Sequence, residues 1–208
     1  MKRFLLAMAL SLSFSISAFC QVDFKDIRDR IVKDYRGARD EFAEVPNMSF
    51  LLGQSRILVR ISYSEAVIKG ADEEAIMESE PNWEDGKVAI GMRFLDALNS
   101  KIQDEGVIAT SKSKGEEMYR LVVVPTYIGK SGDVKAYAVF YDPSGQQVLR
   151  LDGLKATGGF RGSFINLVGD GMESLGKDLG RKFKWGLQSA KDSSSDGRTS
   201  SRGNPFSI

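Results

Sequence analysis

Residues 158–187 read GGFRGSFINLVGDGMESLGKDLGRKFKWGL, and how this stretch folds decides the architecture of the whole chain. Placed on a helix at about 100° per residue, Phe164, Val168, Met172, Leu175, Leu179 and Phe183 fall on one arc. Glu173, Lys177, Arg181 and Lys184 fall on the opposite arc. Gly162, Gly169 and Gly176 recur every seven residues and, with Gly180, line one flank of the apolar stripe. A glycine inside a helix costs about 1 kcal/mol relative to alanine, so propensity does not place four of them there. A backbone held very close to a sheet or a second helix does, because only glycine has no Cβ to keep the surfaces apart. A small-residue face for self-association or for a ligand is the sharper alternative. The stretch carries too much charge to span a bilayer, where small-residue dimer faces mainly belong.

The start of the chain points to export. Lys2 and Arg3 precede an apolar run from Phe4 to Phe19, which is the layout of a secretory signal peptide over residues 1–20. Ala18-Phe19-Cys20 places small residues at the two positions a signal peptidase reads, leaving Gln21 first. Alternatively Cys20 becomes a lipidated N-terminus, and only then is the membrane a partner. Cys20 is the only cysteine, so the exported domain is expected to stand on its core without a disulfide. Loss of residues 1–20 removes Lys2 and Arg3 and no acid. The 29 basic and 28 acidic residues become 27 and 28, a net charge of −1. Such a balance offers no electrostatic footprint for nucleic acid.

Between leader and tail the pattern predicts one domain. Phe24, Ile27, Ile31, Tyr35, Ala38 and Phe42 recur at helical spacing, giving an amphipathic helix over residues 21–46, closed by Pro46. Its charged face is read as solvated, with a partner-binding helix as the alternative. Arg56–Tyr63 alternates as a half-buried strand. Residues 72–85 hold seven acids. Asn82 is placed to cap a helix whose apolar positions are Trp83, Val88, Met92, Leu95, Leu98 and Ile102, ended by Gly106. Val107–Thr110 forms a short strand, and a meander of three strands follows. Leu121–Val124 reads as a strand covered on both sides and Pro125 as a bulge; the turns fall at 129–133 and 142–145. The Ser/Gly-rich residues 188–208 are expected to be a disordered tail. The fold class is α+β. It is a two-layer sandwich with a mixed or mainly antiparallel sheet of four to five strands, two helices on one face and an N-terminal helix, the main domain spanning 55–187.

The absence of histidine is the firmest statement about chemistry. It removes Ser–His and Cys–His nucleophiles, histidine bases and the usual zinc sites. The acids at 72–85 are the one candidate for paired carboxylates or calcium, but no calcium-loop motif is present. Gly129-Lys130-Ser131 is not a phosphate loop, since its first glycine would have to stand at Val124. No catalytic, metal or cofactor residue is assigned, and no cofactor is expected. Lys177, Arg181, Lys182 and Lys184 crowd what reads as the end of the last helix. They either complement its dipole or offer a surface to an anionic lipid, a glycan or a partner.

From Phe160 to Gly180 the chain carries G-x-F-x-N-L-x-G-D-G-x-E-S-x-G. In this it resembles small exported proteins of unknown function from Gram-negative anaerobes, over roughly Ile57 to Lys184. The resemblance implies a compact α+β fold, distantly like the periplasmic domains of curli-secretion and penicillin-binding-protein-activator lipoproteins, and implies no activity. The resulting expectation is a non-catalytic envelope protein, periplasmic or at the outer membrane, that binds a protein or cell-wall component. An enzyme using only carboxylate, lysine or tyrosine groups is the alternative. A carrier with an apolar cavity beneath the last helix is another.

Overall fold

The computed structural model describes residues 45–113 and 117–199. The expected leader, Cys20, the helix before Pro46 and residues 200–208 lie outside these limits. The described chain is α+β. In order it runs β1 (Arg56–Ile61), β2 (Val67–Ile68), α1 (Glu73–Ser79), α2 (Trp83–Ile102), β3 (Ile108–Thr110), β4 (Arg120–Ile128), β5 (Val134–Tyr141), β6 (Gln147–Ala156) and α3 (Phe164–Thr199). A 3₁₀ turn at Ser49–Leu51 precedes β1.

One mixed sheet has the order β3-β1-β4-β5-β6, with β2 pairing to the far end of β4. β1 runs parallel to both β3 and β4, whereas β4, β5 and β6 form the antiparallel meander. The register slips between Pro125 and Tyr127, where proline supplies no ladder N–H. β6 bulges opposite Tyr137, where Asp152 and Gly153 stand against one residue of β5 and Gly153 takes φ +69°. Both edges are therefore blunted. β6 is kinked and charged. On β3 the Asn99 side chain donates to the Ala109 carbonyl (2.9 Å) and accepts from its N–H (2.7 Å), occupying the groups another strand would pair with.

The core lies between the sheet and the two long helices. Ile57, Val59, Leu121, Val123, Ala138 and Phe140 meet Phe94, Leu98, Val168, Met172, Leu175 and Phe183, all buried. Trp83 stacks on Phe164 at 6.0 Å and meets Tyr63 edge-on at 5.6 Å. Each fully buried aliphatic or aromatic side chain contributes about 1.5–3 kcal/mol. The helices lie on one face only. On the other face Val124 and Val139 stay buried under long neighbours, such as Arg150 lying 3.9 Å over the Tyr137 ring. Cover on both sides of β4 thus comes from helices in front and amphipathic side chains behind.

Three departures from the sequence reading have physical causes. Residues 73–79 of the acidic run form a helix, capped by the Asp72 carboxylate accepting from Ala75 N–H (2.9 Å), with Glu73 and Glu74 facing its dipole. α2 buries Trp83, Leu98 and Ile102 as expected, but its middle turns a different side inward: Gly86, Ile90, Phe94 and Ala97 are buried, while Val88 is 66% and Met92 61% exposed. Both faces show helical spacing. Hydropathy gives little weight to Gly86 and Ala97, the small residues that let a neighbouring helix approach. Finally, α3 continues to Thr199, so residues 188–199, read as tail, are helical. Lys191 reaches back to the Glu105 carboxylate (2.7 Å), and Gln188 donates to the same group (2.8 Å).

Candidate functional site

The residues singled out by the motif at the start of α3 meet at its seam with α2. The two helices run side by side in the same direction, Gly86 beside Ile165 and Lys101 beside Gly180. A Cβ on Gly176 would lie 2.6 Å from the Phe94 carbonyl oxygen, and one on Gly180 would lie 2.8 Å from Lys101 Cβ. A Cβ on Gly169 would overlap the Arg93 guanidinium. Arg93 pairs with Asp170, donates to Glu173 (2.8 Å) and reaches the Asn166 carbonyl (3.3 Å). Hydrogen bonds from Lys177 and then Arg93 hold the Glu173 carboxyl below the usual range. Gly162 stands apart from the other three. It precedes the helix at φ +125°, a conformation glycine tolerates, and belongs to the loop that leads in.

That loop is fixed from the other side. The β4–β5 turn packs its Gly132 backbone against Leu167, Gly158 and Gly171, so close that a Cβ at any of the three glycines would overlap main-chain atoms. The Asp133 carboxylate accepts from Ser131 Oγ (2.5 Å) and from the Gly158 N–H (2.9 Å), which keep its pKa low. G-x-F-x-N-L-x-G-D-G-x-E-S-x-G is therefore a packing pattern. Gly171 and Gly176 clear backbone, Gly169 clears the Arg93 guanidinium, and Asp170 and Glu173 anchor that arginine of the neighbouring helix.

Lys177, Arg181, Lys182 and Lys184 lie along the middle of α3, because the helix continues for fifteen residues after Lys184. Lys177 pairs with Glu173 (2.6 Å) and Arg181 with Asp178; Lys182 is half-buried, and Lys184 lies near Glu105. Acids of the fold itself share the charge of Lys177, Arg181 and Lys184.

A cleft of about 450 Å³ opens elsewhere, between the N-terminal half of α2 and the carboxyl ends of β1 and β3. Its apolar wall is Val59, Ile61, Val88, Met92 and Leu95, with Gly91 opposite Ile61. Its rim carries Arg60, Glu73, Glu84, Lys87 and Ser111. Glu73 on α1 accepts from Lys87 Nζ (2.7 Å) and from Trp83 Nε1 (3.1 Å). Lys87 also pairs with Glu84 (2.7 Å), and Arg60 donates to the Ser111 carbonyl. Burial pulls the Lys87 pKa down, but hydrogen bonds to Glu73 and Glu84 outweigh it and the ammonium is held. Tyr63 lines the cleft too; burial, then the Glu73 charge, push its phenol pKa up, and its hydroxyl has no partner among the described residues.

Of these residues the sequence singles out only Glu73 and Glu84, within the acids at 72–85 that are its one candidate for paired carboxylates. Tyr63 falls at the end of the half-buried strand, and Val88 and Met92 among the apolar positions of the helix. The only available signal was the surplus of apolar positions on α2, too many for one buried face. Among the described residues no group of acids could hold a metal, and no helix is long and apolar enough to cross a membrane.

No known family profile matches the chain, and no curated protein matches it. Solved structures are similar only at a low level, among them the following two. The PelC dodecamer from Paraburkholderia phytofirmans shares 13% identity over 59% of this chain and 86% of that one, with a TM-score of 0.34. An uncharacterised protein shares 14% identity over 76% of this chain and 97% of its own, with a TM-score of 0.30. At these scores neither likeness transfers a function.

Proposed function

We propose that this is an exported cell-envelope protein, periplasmic or associated with the outer membrane, that acts as a non-catalytic binding module for a protein or cell-wall component. The cleft beside α2 is its recognition surface. The observation that carries this reading is the pair Val88 and Met92, which stand in solvent at the mouth of an apolar cleft whose charged groups already neutralise one another. Such a surface gains by covering its apolar strip. The same pairing disfavours chemistry. A lysine locked between two carboxylates and a phenol kept protonated by burial are poor bases and poor nucleophiles near neutral pH. The cleft borders α2 and β1, not the underside of α3, which weighs against a carrier with its cavity beneath the last helix.

The test is site-directed photo-crosslinking in intact cells, with the crosslinker at Met92 and, as control, at exposed Lys155 on β6. A partner captured from Met92 and not from Lys155, and lost in Val88→Glu, is expected. Equal capture from both positions, or none from Met92, overturns the reading.

A further inference from the structure

Phe160 is 93% exposed, on a loop whose backbone is fixed just before it. A Cβ on Gly158 would overlap the Ser131 carbonyl, and one on Gly159 would overlap the Asp170 carboxylate, so the chain leading to the ring has no room to retract. Cations gather round this aromatic. Arg161 follows it directly, Lys130 stands in the β4–β5 turn that packs against Gly158, and Lys155 precedes Gly158 on β6. All three are exposed, with no ion pair among the described residues. Lys155 faces Lys135 across the ladder, and Lys135 faces Tyr127, its ammonium 5.3 Å from that half-exposed ring. Tyr127, Lys135 and Lys155 therefore form one row over β4, β5 and β6, at the end of the sheet whose turn supports the Phe160 loop.

The acids of this corner do not cancel its charge. Asp170 pairs with Arg93, and Asp152 with Arg150 (2.9 Å). That leaves Asp133, bonded to Ser131 and the Gly158 N–H, and Glu65, which accepts from the Tyr137 hydroxyl (2.9 Å), against four cations. The cleft beside α2 differs, because its rim charges pair with one another.

We propose that this corner is a membrane-contact surface, in which Phe160 enters the interfacial layer of an anionic phospholipid leaflet while Arg161, Lys130, Lys135 and Lys155 meet its phosphates. A protein partner would need a preformed hole for one projecting ring, whereas a lipid leaflet opens around the ring wherever it lands. Long cationic side chains beside the ring reach headgroup level from the flanks, and an amphipathic tyrosine suits the same layer. One inserted ring with a few cations gives reversible attachment, far weaker than a spanning helix. The proposal goes beyond the cleft as a recognition surface, and it makes the leaflet a partner whatever happens at Cys20.

Co-sedimentation with lipid vesicles tests it. The chain is recovered from cells after processing, in a Cys20→Ala background where no lipid can be attached at that position, and circular dichroism verifies that every variant is folded. Binding to mixed phosphatidylglycerol and phosphatidylcholine vesicles is expected, weakening with salt, with little binding to phosphatidylcholine alone. Phe160→Ala should weaken binding about tenfold, and Phe160→Trp should retain it. The emission that F160W adds should shift to the blue on the anionic vesicles and be quenched by brominated acyl chains. Lys130→Ala and Arg161→Ala should each weaken binding about fivefold, the worth of one cation at a lipid surface, whereas Lys112→Ala beyond β3 should change nothing. No binding to the anionic vesicles, equal binding to both lipid compositions, or binding indifferent to F160A overturns the proposal. Retention on heparin that is lost in K130A, with vesicle binding unmoved by F160A, identifies a soluble anionic polymer instead and overturns it too. Crosslinking from Met92 reads the cleft separately, so either idea can fail while the other stands.

Discussion

Replacing one glycine by alanine should have opposite consequences at two places on the helices. Gly91 on α2 has only Ile61 Cδ1 near its missing Cβ, at 3.9 Å. Alanine fits there without adjustment and gains helix propensity, so Gly91→Ala should stabilise by about 0.5–1 kcal/mol. At Gly176 the same methyl would sit 2.6 Å from the Phe94 carbonyl oxygen and 3.1 Å from Ala97 Cβ. The first of these is main chain in the middle of α2 and cannot swing aside, so the two helices must separate. Overpacking of this kind costs about 1–3 kcal/mol, and the propensity gain of about 1 kcal/mol offsets only part of it. A net loss of up to about 2 kcal/mol follows, or up to about 8 °C in Tm for a domain of this size. Urea unfolding followed by circular dichroism reads both variants directly. Equal stabilisation by the two substitutions would show that the helices are not in backbone contact, and the account of the motif would fall with it.

Other perturbations follow from the same contacts. Asn99→Ala uncovers the N–H and carbonyl of Ala109 on the edge of β3 and should destabilise by about 1–2 kcal/mol, while increasing turbidity on heating; unchanged melts and light scattering would dismiss the edge-capping role. The carboxyl groups of Glu173 and Asp133 are both held below their ordinary pKa, so their contribution is complete above the unfolded-state value of about 4 and is lost as pH falls through the lower folded-state values. Urea midpoints should therefore drop on acidification below about pH 4, and Glu173→Gln should reduce that drop; a midpoint as steep in the variant as in the parent refutes the assignment. Gly132→Ala adds a methyl to a residue at φ +80° whose Cβ would overlap the Leu167 carbonyl. It should lose more stability than Gly145→Ala, at φ +90° in the open β5–β6 turn, and equal losses would mean that strain alone matters.

What the sequence disclosed depended on whether neighbours along the chain were enough to decide it. The meander was legible because alternation and turn chemistry are local: Asp142 to Gly145 closes with its Gly145 N–H on the Asp142 carbonyl (3.0 Å), as Pro143 and Gly145 foretell. The apolar arc of α3 was legible for the same reason, and Phe164 through Phe183 all face the core. The inward face of α2 was not. Its choice between Ile90–Phe94 and Val88–Met92 is made by α3, some eighty residues away, which needs Gly86 and Ala97 beneath it. The six-stranded order was equally hidden, since β1 pairs with β3 and β4 across long intervals of chain. The cleft escaped for a related reason: Tyr63, Glu73 and Lys87 come from three elements, and no spacing rule joins them.

The seam between α2 and α3 also orders events in time. Its ties span long stretches of chain, 77 residues from Arg93 to Asp170 and 86 from Glu105 to Lys191. No part of it can form until the final helix has been made, since contacts this distant in sequence wait on closure of the intervening loop. Until then the sheet and α2 expose the apolar surface that α3 will cover, so the growing chain is a poor candidate for early folding and a good client for a holding chaperone. A polypeptide cut before Phe164 would remain in that state, whereas one cut after Lys191 retains every tie described across the seam.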